Sequence, residues 1–311
     1  MLLWIVIPTV LGVILFASRI CYKIAFYSVN QAEQDVYAIP PGKQYEAVAD
    51  VLLQRIHDAQ NLDYDLVGIT ARDGLHLSGR YYHFSDGAPL QIMFHGYRSS
   101  GIREFSATHT LAKKIGYNVL AVDERAHGKS GGHTITFGIK ERYDCLDWAN
   151  YAADCFGKET PIFLTGVSMG AATVLMASEL ELPENIRCII ADCPYSSPGE
   201  IIRKVSKDVK LPGTLLYPFV LLGALVFGHF KLWESSPLEA VRRAQRPILI
   251  IHGEDDRFVP CEMSKRVSEE GGENIRLVTV PGAGHGLSYL TDGALYERTF
   301  KTFLYDCGVY K

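Results

Sequence analysis

The chain has 311 residues, 48% hydrophobic and 21% charged, with 31 Lys and Arg against 35 Asp and Glu and a net charge of −4. That composition is ordinary for a globular protein and excludes disordered, collagenous and coiled-coil classes. Without a basic excess to hold a phosphate backbone, no nucleic-acid partner is expected. The seven cysteines (Cys21, Cys145, Cys155, Cys188, Cys193, Cys261 and Cys307) form no CxxC pair. They suggest neither a zinc ribbon nor a disulfide-stapled miniprotein, and their odd number fits a reducing compartment.

The chain opens on an apolar run, Leu2 to Ala17, without a charge; Ser18 and Arg19 interrupt it, and Cys21 to Tyr27 is apolar apart from Lys23. Arg19 and Lys23 can snorkel, so the effective span reaches about 20 residues. With no basic segment ahead of it and no convincing small-residue cleavage site, residues 1–27 read as a retained single-pass anchor rather than a cleaved signal. Two basic residues are too few to fix the side on which the body lies. Residues 28–63 read as a linker and leading helix. Pro40-Pro41-Gly42 marks a break, and Tyr45, Val48, Leu52 and Ile56 recur at helical spacing.

From Tyr64 the pattern becomes regular. Strands are expected at Leu66–Thr70, Leu75–Phe84, Leu90–Phe94, Asn118–Val122, Pro161–Leu164, Arg187–Ala191, Pro247–Ile251 and Ile275–Val280. Helices are expected at Phe105–Ile115, Ile139–Phe156, Met169–Leu180, Cys261–Glu270 and Gly293–Tyr305. The first two strands form a hairpin around Asp73-Gly74. The others alternate with helices and have continuous apolar cores, as strands covered on both faces do. The fold class is therefore α/β, with an eight-stranded, mostly parallel sheet. An insertion at about 194–244 reads as a helical cap. It contains Leu211 to Phe230, twenty residues without Asp, Glu, Lys or Arg. Its prolines and glycines favour short helical pieces over one rod.

Gly166-Val167-Ser168-Met169-Gly170 lies between a strand and a helix. In that context G-x-S-x-G is a nucleophile elbow: Ser168 is held on a tight turn above the sheet edge, and the Met169 amide opens a helix where an oxyanion is stabilised. The loop Phe94-His95-Gly96-Tyr97 follows the third strand and offers the Tyr97 amide as the second oxyanion donor. His95 reads as a structural support under that loop. After the strand ending at Ile251 come Glu254, Asp255 and Asp256. The spacing to Val259-Pro260 favours Asp256 as the acid that orients a histidine, with Asp255 as the alternative. After the strand ending at Val280 comes His285, set among glycines with room to move, the expected general base. The order Ser168, Asp256, His285, each at the carboxyl end of a different strand, is that of an α/β-hydrolase triad. Because Ser168 and Asp256 must meet on one side of a bilayer, Leu211–Phe230 between them is not a second membrane crossing. It is a lid, or a surface that touches lipid.

With His95-Gly96, Asp123 to Gly131, the serine elbow, His252-Gly253 through Val259-Pro260, and His285-Gly286 in place, the chain from about Tyr64 to Val309 resembles the α/β-hydrolase superfamily. More narrowly, with Asp192-Cys193-Pro194-Tyr195-Ser196-Ser197-Pro198, it resembles bacterial membrane-anchored serine hydrolases related to the acylaminoacyl-peptidase and cinnamoyl-ester-hydrolase groups. The resemblance implies a Ser–His–Asp hydrolase without organic cofactor or metal. Asp123 and Arg125 are expected to tie their loop to the sheet, with His127 packed near the nucleophile turn. No further ligand of sensible spacing makes Asp123 and His127 a metal pair. The expected reaction is hydrolysis of carboxylic esters through an acyl-enzyme. The apolar cap and the anchor point to lipid-like acyl substrates. A peptidase or amidase, and a catalytically inactive scaffold, are the alternatives.

Overall fold

The computed structural model describes residues 2–29, 36–39 and 42–310. The proline pair at 40 and 41 lies outside them. The strands are β1 (Asp65–Thr70), β2 (His76–Tyr82), β3 (Leu90–Phe94), β4 (Asn118–Asp123), β5 (Ile162–Val167), β6 (Ile186–Asp192), β7 (Ile248–Gly253) and β8 (Ile275–Val280). They form one sheet in the order β1-β2-β4-β3-β5-β6-β7-β8. β2 runs antiparallel to both β1 and β4, and every other pairing is parallel. Strand order reverses where β3 enters between β4 and β5, and at such a switch point the carboxyl ends of open α/β sheets leave a crevice.

The helices are α1 (Leu2–Ala25), α2 (Lys43–Glu46), α3 (Ala49–Gln60), α4 (Gly101–Ile115), α5 (Glu141–Phe156), α6 (Met169–Ala177), α7 (Pro198–Asp208), α8 (Gly213–Val226), α9 (Pro237–Ala240), α10 (Cys261–Gly271), α11 (Ser288–Thr291) and α12 (Gly293–Asp306). The central strands are buried along their whole length: β3 and β7 have no exposed residue. Ile92, Phe94, Leu164, Ile189 and Ile250 point into one apolar layer, with α5 and α6 supplying Trp148, Val174 and Leu175. Met93, Phe163, Leu249 and Ile251 point into the opposite layer, against Phe105 of α4 and Phe300 of α12. Alternation of side chains across the pleat thus feeds two cores at once, the reason these strands are apolar throughout.

Two expected elements differ. The helix expected across Tyr45–Ile56 is two helices, because Val48 leaves helical geometry at φ −120° and ψ 10°. The break frees the short α2 to lie against the loop that carries His285. In the cap, the expected short pieces are one 14-residue helix, α8, with Pro218 inside it. Its Gly223 is used for packing: a Cβ there would sit 2.5 Å from the Ser18 carbonyl oxygen of α1. At about 21 Å, a helix of this length is shorter than a bilayer core.

α1 does not stand apart from the body. Its buried and half-buried positions are Ile14, Ala17, Ser18, Cys21, Tyr22 and Ala25, a stripe at helical spacing, whereas Trp4 to Val13 are exposed on all sides. Phe26, fully buried, makes edge contacts with Phe137 and with Phe230 of the cap, at centroid distances of 5.8 and 5.2 Å. Beyond it the backbone is stitched to the loop after β4: the Ser28 amide donates to the His133 carbonyl, and the Ile135 amide to that of Phe26.

Candidate active site

The carboxyl edge of the sheet carries the site. β5 ends at Val167 and α6 begins at Met169, so Ser168 makes the whole turn, at φ 56° and ψ −110°. This is a strained conformation for a residue with a side chain. Close backbone approach explains the flanking glycines: a Cβ on Gly166 would lie 2.2 Å from the Gly170 backbone, and one on Gly170 would lie 2.2 Å from the Phe94 carbonyl oxygen.

The structure brings the three expected triad side chains together. The Ser168 hydroxyl donates to His285 Nε2 at 3.0 Å, and His285 Nδ1 donates to Asp256 Oδ2 at 2.7 Å. Asp256 Oδ1 accepts the amides of Phe258 and Val259 at 2.9 and 2.8 Å. His252 Nε2 lies 3.2 Å from Asp256 Oδ2. Burial alone would raise the Asp256 carboxyl; the bonds from His252 and His285, the imidazole charge and the Val259 amide outweigh it and hold the group well below the usual carboxylate range. Asp256 is therefore an anion poised to orient an imidazole. Asp255 has no part in this chain, its side chain being exposed at the loop surface.

A second Ser–His–Asp grouping lies beneath the first and has a different character. The Ser264 hydroxyl donates to His252 Nδ1 at 2.6 Å, while His252 Nε2 donates to the Val259 carbonyl at 2.8 Å. Both residues are completely buried. No substrate reaches them, and they serve to fix the Asp256 loop from below.

The oxyanion loop lies beside the nucleophile. A Cβ on Gly96 would be 3.5 Å from Ser168 Cβ, so the backbone passes close to the reacting oxygen. The Arg98 amide donates to His127 Nε2 at 3.0 Å and the Ser99 amide to the Gly96 carbonyl, whereas the amides of Tyr97 and Met169 have no hydrogen bond among the described residues. These are the two amides expected to face an oxyanion. His95 is a support: Nε2 accepts the Glu124 amide at 2.9 Å and Nδ1 donates to the Gly96 carbonyl. Burial lowers it to about 4, so it stays neutral and keeps its acceptor. His127 is lowered to about 3, again by burial first and then by His95. Asp123 accepts the Gly101 and Lys129 amides, and Arg125 reaches Asp144 and Asp73, which ties this loop to the sheet end.

Sequence reasoning missed three contributors. The Tyr45 hydroxyl of α2 donates to the His285 carbonyl at 2.9 Å, across 240 residues of chain that carry no local sign of it. Phe258 sets its ring 5.0 Å from that of His285. Cys193, buried and at φ 48°, places its sulfur within 4.8 Å of ligand atoms of Asp256 and His285. By donor type these three could hold a metal ion, yet both Asp256 oxygens are already taken up by hydrogen bonds. Burial pushes the Cys193 thiol well above its ordinary range, so it remains a neutral wall of the site.

Comparison with known proteins agrees with this geometry. Residues 92–225 match the family described as alpha/beta hydrolase fold. The solved esterase Pf2001 of Pyrococcus furiosus superimposes with a TM-score of 0.65 at 28% identity, covering 80% of this chain and 93% of that one. The chain has the α/β-hydrolase fold. Protein YqkD of Bacillus subtilis is 27% identical over 232 residues, 74% of this chain and 76% of the relative. The bifunctional esterase/perhydrolase DCH of Acinetobacter calcoaceticus is 25% identical over 267 residues, 70% of this chain and 92% of the relative. Fold and site geometry together make the protein a serine hydrolase.

Proposed function

We propose that this serine hydrolase cleaves carboxylic esters with Ser168 as nucleophile, His285 as general base and acid, and Asp256 as the residue that orients the imidazole. The observation that carries the reading is the unbroken hydrogen-bonded chain from Ser168 through His285 to a buried, anionic Asp256. His285 Nε2 removes the Ser168 proton as Oγ bonds to the acyl carbon. The carbonyl oxygen becomes an oxyanion held by the Tyr97 and Met169 amides. Collapse of that intermediate breaks the bond to the leaving oxygen, which takes the proton from His285. Water then attacks the acyl-enzyme, giving its proton to His285, and release of the acid returns that proton to Ser168. Asp256 keeps Nδ1 protonated throughout.

Lipid-like acyl esters fit the setting. One helix among the described residues, Trp4–Ala25, is long and apolar enough to cross a bilayer, and we read it as a single-pass anchor. The cap helix α8 packed on it has no charged residue. The segment Asp192 to Pro198 supports the narrower likeness to membrane-anchored relatives of the acylaminoacyl-peptidase and cinnamoyl-ester-hydrolase groups. The test uses detergent-extracted full-length chain and its Ser168→Ala variant, with p-nitrophenyl esters from acetate to palmitate and a fluorophosphonate probe. Labelling and turnover present in the parent and absent in the variant, with long acyl chains preferred, are expected. Labelling retained by Ser168→Ala overturns the nucleophile, and an optimum at acetate overturns the lipophilic substrate.

A further inference from the structure

α8 has two faces. Val220, Gly223 and Ala224 are buried, and Gly223 packs on Ser18 and Tyr22 of α1. On the other side Leu215, Pro218, Leu222 and Leu225 recur at spacings of three and four, and of these only Leu222 is even half-buried; the exposed Leu211 precedes the helix. Leu215 is 68% exposed and Leu225 43%. An apolar stripe of this kind, left open on a folded domain, is a contact surface. It is continuous with the exposed apolar surface of α1, because Phe227 at the end of α8 lies against Tyr22 and under Arg19. Whatever surrounds α1 therefore surrounds this stripe.

Charge sets the orientation. Arg19 and Lys23, both exposed, lie at the Phe227 end of α8, and Lys207 and Lys210, both exposed, precede its other end at Gly213. Each end thus carries cations that stay at the headgroup level. A helix held there at both ends lies along the surface, with its stripe among the acyl chains.

We propose that α8 is an in-plane membrane helix, sunk beside α1 into one leaflet, and that it delivers lipid-borne esters to Ser168 from the bilayer. The proposal rests on the anchor reading of α1 and adds to it a second contact with lipid and a route. The route is an open groove of ≈ 800 Å³ between α7, the start of α8 and α10, with Leu211, Pro212, Leu215, Pro260 and Met263 as its apolar side and the charged side chains of α7 and α10, among them Glu200, Arg203, Lys207 and Glu262, along its rim. Its wall at Lys204 and Pro260 adjoins the Asp256–Val259 loop, where Lys204 bonds the Arg257 carbonyl and the Phe258 ring lies 5.0 Å from that of His285. An acyl chain entering there lies along the apolar side of the groove, which lowers the cost of exposing its methylenes.

The test places a tryptophan on the stripe of the full-length chain. Leu215→Trp and Leu225→Trp are made in a Trp4→Phe/Trp233→Phe background, with Leu66→Trp on the exposed first strand as control. The chains are reconstituted in vesicles of phosphatidylcholine and phosphatidylglycerol whose acyl chains carry bromine. Quenching at both stripe positions to a similar depth, with none at Leu66→Trp, is expected. No quenching on the stripe in chains that still float with the vesicles overturns the α8 proposal and leaves the anchor standing. Chains that do not float overturn both. Quenching at Leu215→Trp alone overturns the in-plane orientation. In parallel, Leu225→Glu/Val226→Glu, outside the groove, is expected to keep turnover of soluble p-nitrophenyl acetate and to lose about tenfold on a palmitoyl ester held in vesicles. Equal rates on both substrates overturn delivery from the bilayer.

Discussion

The two sides of the cap solve opposite problems. At the sheet edge, charged and polar groups are buried and the proposed triad is held: Asp256 accepts from two amides and the His285 imidazole, with His252 Nε2 3.2 Å away. A few ångströms outward, α1 and α8 present apolar side chains with nothing of the protein over them. The first region is stable because the triad's polar atoms, removed from water, have partners. The second is exposed apolar surface, which fits the lipid contact proposed above. The two regions are mechanically joined. The Tyr97 hydroxyl donates to the Ala25 carbonyl at 2.9 Å, and Arg98 reaches the Ile24 carbonyl, so the loop that offers an oxyanion amide hangs from the end of α1. The proposed chemistry and the proposed lipid contact share this junction.

That junction can be broken from either side. On the polar side the largest effect is expected from Asp256→Asn. The Oδ1 cage survives, but the imidazole loses the partner that fixes its tautomer, and turnover should fall about 10⁴-fold, as in serine proteases, while thermal unfolding shows a folded chain. On the apolar side, Phe26→Ala removes a fully buried ring between Phe137 and Phe230. About 3–5 kcal/mol of stability should be lost. Because the same segment carries Tyr97, turnover of a soluble ester should fall with it. Stability lost with turnover per folded molecule unchanged would separate the two regions.

Asp192 sharpens the comparison, because it is a polar-edge residue held less well than Asp256. It is buried beside Ser288, Tyr296, His252 and His285, and burial pushes it up to about 6, against the pull of those four. Its ordinary value is near 3.9. Between about 4 and 6 the folded chain therefore binds more protons than the unfolded one, and stability from this group is lost as pH rises through that window. Asp192→Asn should raise the unfolding temperature at pH 7, by about 1–3 kcal/mol of stability, and the gain should vanish as pH approaches 4. Asp256 has the opposite sign: its depressed value contributes stability above about 4 that is lost as pH falls further. The smallest effect is expected from Tyr45→Phe. Loss of one hydrogen bond to the His285 carbonyl should cost about 1 kcal/mol and lower turnover a few-fold without altering the pattern of acyl-chain preference.

Much of the site was legible in the sequence because the constraints are local. Only glycine fits at 166 and 170, where backbone would meet a Cβ at 2.2 Å. Continuous apolar runs mark strands covered on both faces, and so all eight strands are found close to where periodicity and turn residues put them. The order of serine, acid and histidine then follows from which strand ends carry them. Local signals read α8 only in part: Pro212 and Gly228 lie outside the helix, so Leu211–Phe230 is not one rod, yet α8 runs through Pro218 and through Gly223, which is a packing surface against α1.

The sequence by itself determined the sheet, the tight turn at Ser168, the three residues proposed as the triad and an apolar segment at the start of the chain. Each depends on residue type and on spacing within a few positions. Tertiary structure decided what these parts touch: that Tyr45 holds the histidine loop, that His252 and Ser264 brace the acid from beneath, and that α1 and α8 lie together against the oxyanion loop. Such contacts join residues far apart in the chain, and neither partner's neighbours change in any way that periodicity or composition records. They arise only when the folded sheet brings its loops to one edge.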